Sequence, residues 1–343
     1  MSSENARPET LGHPSPLAGD GPVAAIDLGG TKILAAIVGP NGHILSRAKK
    51  KTGKDRKADT VIERMADCVR DAAREAGVPP TDLRGLGVGA PGPVDPETGV
   101  VKLAPNLGWE NVPLREELHR RLSLPVAVGN DVSVAVLAEH LAGVGQGVRH
   151  MVGIWPGTGI GGGLVLDGKM HGGAGQLAGE IGHITVKANG PKCGCGGRGH
   201  LEAMASRTAI VRDIVRAVKK GEKTALTGIA GKDLARVTSG DLADAWEEGD
   251  KLVRKFIGRA AKYLALGIAS IANLLNPELV VLGGGLVEGL GDPFVEDIRR
   301  HVRSLPLRTS TGSLRIERSA LGDDAGISGA AILVRRLSIH RAN

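Results

Sequence analysis

Four short stretches place reactive residue types close together. In DLGGTK, Asp27 to Lys32, a carboxylate ends an apolar run, and two glycines, a hydroxyl and an ammonium follow. A turn without side chains presents its backbone N–H groups as a nest for phosphate oxygens. Thr31 adds a hydroxyl donor and Lys32 a positive charge. Asp27 alone would repel phosphate. It suits Mg²⁺, which keeps its waters and is held by one or two carboxylates plus phosphate oxygens. The same residues also make an ordinary hairpin turn. A second turn, Gly157-Thr158-Gly159-Ile160-Gly161-Gly162-Gly163, has no carboxylate and can face phosphate directly. Neither turn has the P-loop spacing, and neither opens a helix as a dinucleotide fingerprint does. Asn130-Asp131 lies between a strand pattern and a helix pattern. Asp131 there either accepts the proton of an attacking hydroxyl in phosphoryl transfer or caps the helix. The fourth stretch is PKCGCGGRGHLE, Pro191 to Glu202, which holds two of the chain's three cysteines one residue apart, just before a histidine.

The elements that must carry these residues follow from periodicity. Val23 to Leu28, Ile33 to Val38 and His43 to Arg47 read as a β-meander with turns at Gly29-Gly30 and Gly39-Pro40-Asn41-Gly42. An amphipathic helix is predicted from Thr60 to Glu75, a strand over Leu86 to Gly89 and a helix over Pro113 to Leu122. Another strand is predicted over Val126 to Val128 and a helix over Val132 to Leu141. The pattern then restarts. Met151 to Trp155 leads into the second glycine turn and Leu164 to Leu166, with a turn at Asp167-Gly168-Lys169. VAAIDLGGTKILAAIVGPNG and MVGIWPGTGIGGGLVLDGK are both strand, Gly/Thr turn, strand, turn, so two related halves are expected. Helices are predicted from Glu202 to Lys220 and from Asp241 to about Leu275, where Asn276-Pro277 stops the run. Leu279 to Leu282 is a buried strand entering Gly283-Gly284-Gly285, and a last helix starts near Gly326.

The bulk composition narrows the function classes. A chain of 343 residues is more than one core usually supports, so two domains are expected. No run approaches the ~20 apolar residues of a membrane span, and the N-terminus does not read as a secretory signal. Its Pro, Gly, Ser and charge content reads as a disordered tail. Three cysteines are too few for a disulfide framework, and a cytoplasmic location is expected. The net charge of +7 raises a nucleic-acid reading, but three Trp, one Tyr and two Phe supply a base-stacking surface poorly. The densest basic run, RAKKKTGKDRK from Arg47 to Lys57, is read as a solvated loop, with a polyanion site as the alternative.

In order along the chain, AIDLGGTK, GVGAPGPVD, NLGW, NDVSVAVLAEH, GTGIGGG, AGEIGHITV, CGCGGRGHLE, VVLGGG and LGDDAGISGAA resemble the ROK family (repressors, open reading frames and kinases) of the actin-like ATPase superfamily. The resemblance covers about Val23 to Leu337. It implies an α/β chain of two ribonuclease-H-like domains flanking a deep cleft. The expected division is a tail at 1–21 and an N-terminal domain at 22–131 completed by the helix 326–343. A larger domain at 132–325 would carry a zinc-type loop at 183–202. ATP would lie in the cleft, with a hexose beside its γ-phosphate.

By the motif match, Asp131 looks like the base on the sugar 6-hydroxyl. Asn130 would hold a ring hydroxyl, and Glu180 and His183 would read hydroxyls near the anomeric end. Glu202 would add an acceptor, Gly92 a backbone contact, and Asn106 is a further sugar-site residue. A site built of such groups rejects an analogue that leaves them unpaired. Asp27 would position Mg²⁺ through water. Gly29, Gly30, Thr31, Lys32, Thr158 and Gly159 would bind phosphates, and Gly284 and Gly285 would admit the adenosine. The base needs orientation at ~2.6–3.2 Å more than a raised pKa, because the nucleophile's proton leaves late.

In ROK kinases the cysteine turn usually reads CxCGxxGCxE, and its three cysteines with the GH histidine bind zinc. Here Cys193 and Cys195 match and the third position is His200. Either Zn²⁺ is held structurally by His183, Cys193, Cys195 and His200, or packing alone holds the turn. The resemblance implies an ATP-dependent hexokinase, glucose being the first expectation. N-acetylmannosamine, N-acetylglucosamine, fructose or allose are alternative sugars, and polyphosphate is an alternative donor. A non-catalytic sugar-sensing regulator is the reading from a different class. Only 22 residues precede Val23, which disfavours a DNA-binding domain there. A homodimer and closure of the domains on sugar are also expected.

Overall fold

The computed structural model describes residues 19–231, 233–305 and 314–341. Most of the expected tail and the last two residues of the expected C-terminal helix lie outside the described residues. Strands β1 (Val23–Leu28) and β2 (Lys32–Val38) pair antiparallel from Val23↔Val38 to Leu28↔Ile33, and β3 (Ile44–Lys51) pairs outside β2. This is the predicted meander, but β3 runs further than expected. Lys49, Lys50 and Lys51 belong to the sheet edge and not to a loop. Charge on an edge strand discourages pairing with another chain. Helix α1 (Ala58–Glu75) buries Val61, Ile62, Met65, Cys68, Val69 and Ala72 against this sheet.

Strand β4 (Leu86–Ala90) then pairs parallel with β1. A small hairpin follows, β5 (Val101–Ala104) with β6 (Trp109–Val112), which the periodicity did not show because each strand has only four residues. Helix α2 (Leu114–Leu122) leads to β7 (Val126–Asn130), which pairs parallel with β4 and runs directly into α3 (Asp131–Ala142). The sheet order is β3-β2-β1-β4-β7.

The second half repeats this plan. Strand β8 (Met151–Pro156) pairs antiparallel with β9 (Ile160–Leu166), and β10 (Lys169–Met170) lies outside β9. A helical stretch follows: α4 (Leu201–Ala205), α5 (Arg207–Val218), α6 (Leu226–Ile229), α7 (Ser239–Glu247) and α8 (Lys251–Leu275). Two runs predicted as continuous are broken. Ser206 caps α5 by accepting the Ala209 N–H, and Asp250 caps α8 after Gly249 turns at φ +84°. Strand β11 (Leu279–Leu282) pairs parallel with β8. Helix α9 (Gly285–Val302) escaped prediction because Gly291 and Pro293 interrupt its pattern. Strand β12 (Arg315–Arg318), three of whose four residues are charged, escaped as well, and α10 (Ala325–Arg341) ends the chain. The order β10-β9-β8-β11-β12 matches the first sheet position for position. No helix among the described residues is long and apolar enough to cross a membrane.

Two helices lie between the sheets. Ile327, Ala330, Ala331 and Val334 of α10 pack on Val23, Ala25, Ala36 and Ala127 of the first sheet. Val136 of α3 packs with Met151, Val165, Leu279 and Val281 of the second. The helices meet through Leu137, Ala138 and Ile332. At Gly329 the approach is so close that a Cβ would lie 1.8 Å from the Val134 carbonyl oxygen. The outer faces are covered by α1 and α2 on one side and by α8 and α9 on the other.

Glu139 of α3 is fully buried. It accepts hydrogen bonds from Ser319 Oγ (2.6 Å), the Leu321 N–H (2.8 Å) and the Val144 N–H (3.1 Å). It therefore ties α3 to the chain entering α10. Removing one partner leaves buried donors unpaired at about 1–3 kcal/mol each. Glu139→Ala is expected to lose roughly 3–5 kcal/mol in urea unfolding, and Glu139→Gln less. An alanine variant within about 1 kcal/mol of wild type would refute the latch.

Candidate active site

The two hairpins end at corresponding places in their sheets. At the first tip the Gly29 N–H bonds to the Lys32 carbonyl (2.8 Å). Thr52 braces it from the side, with Oγ1 donating to the Gly29 carbonyl (2.8 Å) and its N–H to the Thr31 carbonyl (3.0 Å). Asn106, from the β5–β6 turn, sits over this tip, its Nδ2 3.3 Å from where a Gly30 Cβ would be.

The second tip is braced by α4 and α5. The Arg207 N–H donates to the Gly157 carbonyl (2.9 Å) and Thr208 Oγ1 to the Thr158 carbonyl (2.7 Å). Arg207 Nη2 donates to Thr158 Oγ1 (2.7 Å). Glu202 Oε2 accepts the Ile160 N–H (3.0 Å) and lies 2.4 Å from where a Gly159 Cβ would be. The turn carries no carboxylate of its own, but the fold sets one against it. What remains to meet an anion is the Thr158 and Gly159 amides, the Thr158 hydroxyl and Arg207. Arg207 and Thr208 were not legible as site residues. The nearest local signal, a serine opening a helix, says nothing about what that helix end touches.

Asn130 and Asp131 sit where β7 becomes α3. The cap is Asn130, whose Oδ1 accepts the Ser133 N–H (2.9 Å). Asp131 is the first helical residue, and its Oδ1 accepts from the Val132 N–H (2.8 Å) and Asn130 Nδ2 (3.0 Å). Asn130 Nδ2 also donates to the Gly92 carbonyl (3.1 Å). Gly92 is at φ +82°, and a Cβ there would lie 1.9 Å from the Leu103 carbonyl oxygen, so only glycine fits. Burial pushes the Asp131 carboxyl up to about 7, and the negative charge of Asp27 adds to this. Asp27 is also raised by burial, against the pull of Lys32 and with the push of Asp323. The start of α10 abuts it, a Gly326 Cβ position lying 3.3 Å from Asp27 Cγ. A helix N-terminus favours a carboxylate there.

On the far side of Asp131 the segment Glu180 to Glu202 folds against β9. A Cβ at Gly182 would lie 2.1 Å from the Ile160 carbonyl oxygen, so GEIGH presses on the second hairpin. Glu180 Oε2 is 3.8 Å from His183 Nε2. The other ring nitrogen of His183 faces Cys193 Sγ at 3.8 Å, and Cys195 Sγ lies 3.2 Å from His200 Nδ1. All four ligand atoms of His183, Cys193, Cys195 and His200 fall within 4.8 Å of one another. Tetrahedral zinc with ordinary Zn–S and Zn–N bonds separates its ligands by ~3.3–3.8 Å. Two contacts lie within about 0.1 Å of that range and no pair exceeds 4.8 Å, so the donor set fits zinc. Burial pushes the Cys193 thiol up to about 11, so binding there must displace a proton. Cys193 Sγ also lies 3.5 Å from Glu202 Oε1.

At the other end of the second half, Gly284 caps α9 at φ +82°. Trp155 lies under Gly283, and a Gly285 Cβ would sit 3.3 Å from Ser239 Oγ at the start of α7. These glycines leave backbone open beside an aromatic ring.

The "ROK family" model matches residues 23–337. A glucokinase of Thermotoga maritima is 35% identical over 90% of this chain and 96% of its own length. A xylose repressor of Caldicellulosiruptor bescii is 31% identical over 92% of this chain and 78% of its own. The crystal structure of a ROK family glucokinase from Streptomyces griseus, in complex with glucose and AMPPNP, superposes with a TM-score of 0.80. It is 32% identical and covers 92% of this chain and 100% of its own. The paired sheets are thus those of the two-domain actin-like ATPase fold, and the chain belongs to the ROK family.

Proposed function

We propose that this protein is an ATP-dependent hexose kinase that phosphorylates the 6-hydroxyl, with glucose as the foremost substrate. One observation carries the reading: Asp131, its carboxyl pushed up to about 7, is the first residue of a helix and feels the charge of a second carboxylate, Asp27, at the end of the strand that enters the first glycine tip. The relatives called glucokinase support it. Asp131 would take the proton of the sugar hydroxyl late in a loose transition state. Its raised affinity for that proton makes it a better acceptor at neutral pH than an ordinary carboxylate.

Asn130 has both amide hydrogens and its oxygen engaged, so it holds Asp131 and Gly92 in register and keeps one oxygen lone pair for a sugar hydroxyl. Glu180 and His183 would read sugar hydroxyls, with Asn106 and the Gly92 backbone at the opposite wall. Glu202 would be an acceptor only with the lone pairs that Ile160 leaves free. Gly29, Gly30, Thr31, Lys32, Thr158 and Gly159 would hold the phosphates, and Gly284 and Gly285 the adenosine. Mg²⁺ when bound neutralises the developing phosphoryl charge, and Asp27 would hold its water shell. The donor would lie between domains divided near residue 131, with α10 returned to the first.

Zinc, held by His183, Cys193, Cys195 and His200, would act mechanically. With Nδ1 of His183 on the metal, the Nε2 side stays toward Glu180, an arrangement in which a carboxylate orients a ligand histidine. Elemental analysis is expected to find one zinc per chain. Cys195→Ser and His200→Ala should lose it and melt lower, and a metal-free wild type would leave the turn held by packing.

Asp131→Asn is expected to fold and to lose about 10²–10⁴-fold in turnover. Coupled ADP release over a sugar panel measures this and names the hexose. Wild-type turnover in the variant rejects the assignment. The same variant has a stability signature. A carboxyl whose folded pKa lies above its usual 3.8 keeps its proton in the folded chain while the unfolded chain has lost it. Wild-type stability therefore falls as pH rises from about 4 to about 7 and is level above. Asparagine does not ionise, so without ligands Asp131→Asn should be more stable at pH 8, by about 1–3 kcal/mol after allowing for partial exposure. Equal stability at pH 8 would contradict the buried, raised carboxyl.

A further inference from the structure

Arg207 was not among the site residues expected from the sequence. It opens α5, a helix of 12 residues capped by Ser206. Its own N–H and the Thr208 hydroxyl are committed to the Gly157 and Thr158 carbonyls, so the helix start grips the second glycine tip from two sides. The guanidinium then lies against Thr158, Nη2 to Oγ1 at 2.7 Å.

That contact has a direction. A guanidinium only donates, so the Thr158 oxygen accepts and its proton is free to point elsewhere at the tip. Among the described residues no carboxylate pairs with Arg207. Its neighbour across the tip, Glu202, is turned to the Ile160 N–H. Without Arg207 the second tip would offer two amides and a hydroxyl beside an uncompensated negative charge. That is a poor place for a phosphate chain. With it, the tip combines a planar cation, a hydroxyl donor and side-chain-free amides, which is the chemistry that recognises phosphate.

We propose that Arg207, with the Thr158 hydroxyl it polarises, binds the phosphate chain of the donor from the second half, opposite Lys32 on the first. The inference rests on the kinase reading above and names a donor-binding residue within it.

Calorimetry in Mg²⁺ separates the two. The wild type and Arg207→Gln are titrated with glucose, and then, with glucose in excess, with AMPPNP, inorganic tripolyphosphate and adenosine. One lost charge-assisted contact should weaken AMPPNP and tripolyphosphate about 10- to 100-fold, with adenosine and glucose held within about twofold. Parallel loss of AMPPNP and adenosine would mean that Arg207 only supports the fold. Unchanged AMPPNP binding would mean that it does not touch the donor. Either result overturns the role of Arg207 and leaves the kinase reading standing. A wild type that binds neither glucose nor AMPPNP overturns the kinase reading and this inference together.

Discussion

The contact on which the rest depends is that of α3 with α10, two helices lying back to back between the sheets. Gly329 lets them approach until one backbone meets the other at Val134. Each helix starts at the cleft. Asp131 is the first residue of α3, and the first turn of α10 abuts Asp27. The crossing of the two helices therefore sets how the acidic groups stand to one another. Glu139 secures it from behind, at the opposite end of α3 from the chemistry.

This arrangement is electrostatically unfavourable by itself. Two partly buried carboxylates, both raised by burial and Asp131 further by the charge of Asp27, weaken the folded state at neutral pH. A fold selected only for stability would place an amide or an apolar residue at 131. The arrangement makes sense when positive charge arrives from outside, as a metal ion between carboxylates and phosphates. Lys32 supplies part of the compensation to Asp27. Burial beside Asp27 raises the Asp131 carboxyl, while Val132 and Asn130 fix its direction.

Local pattern made much of the fold legible. Apolar runs separated by glycine turns showed both hairpins, and their repetition in one order showed the two halves. What escaped had weak or masked local signals. The lysines of β3 hid the second half of an edge strand whose burial still alternates. Ser206 and Gly249 broke runs whose periodicity continued across them. Asn130 and Asp131 are both good capping types, and only the backbone geometry shows that Asn130 caps. The glycine tips were visible because their chemistry lies in contiguous residues, and the Cys/His set, whose His183 lies 10 positions before Cys193, was visible through the family motifs. Arg207 was not, since nothing near it refers to Thr158, 49 positions earlier.

The segment from Glu180 to Thr208 explains why the cysteine turn lies so close to the site in sequence. It begins with Glu180 and His183, the proposed readers of sugar hydroxyls. It passes through the Cys/His set and ends with Glu202, Arg207 and Thr208 on the second glycine tip. Cys193 lies between His183 and Glu202, within 3.8 Å of the one and 3.5 Å of the other. A metal that fixes Cys193 would therefore hold His183 and Glu202 in place together. Gly194, Gly196, Gly197 and Gly199 put four glycines into this stretch of six residues. In the proposed zinc site, four ligands drawn to one point would supply the rigidity that those glycines give up, a physical reason for cysteines in a chain that otherwise has almost none.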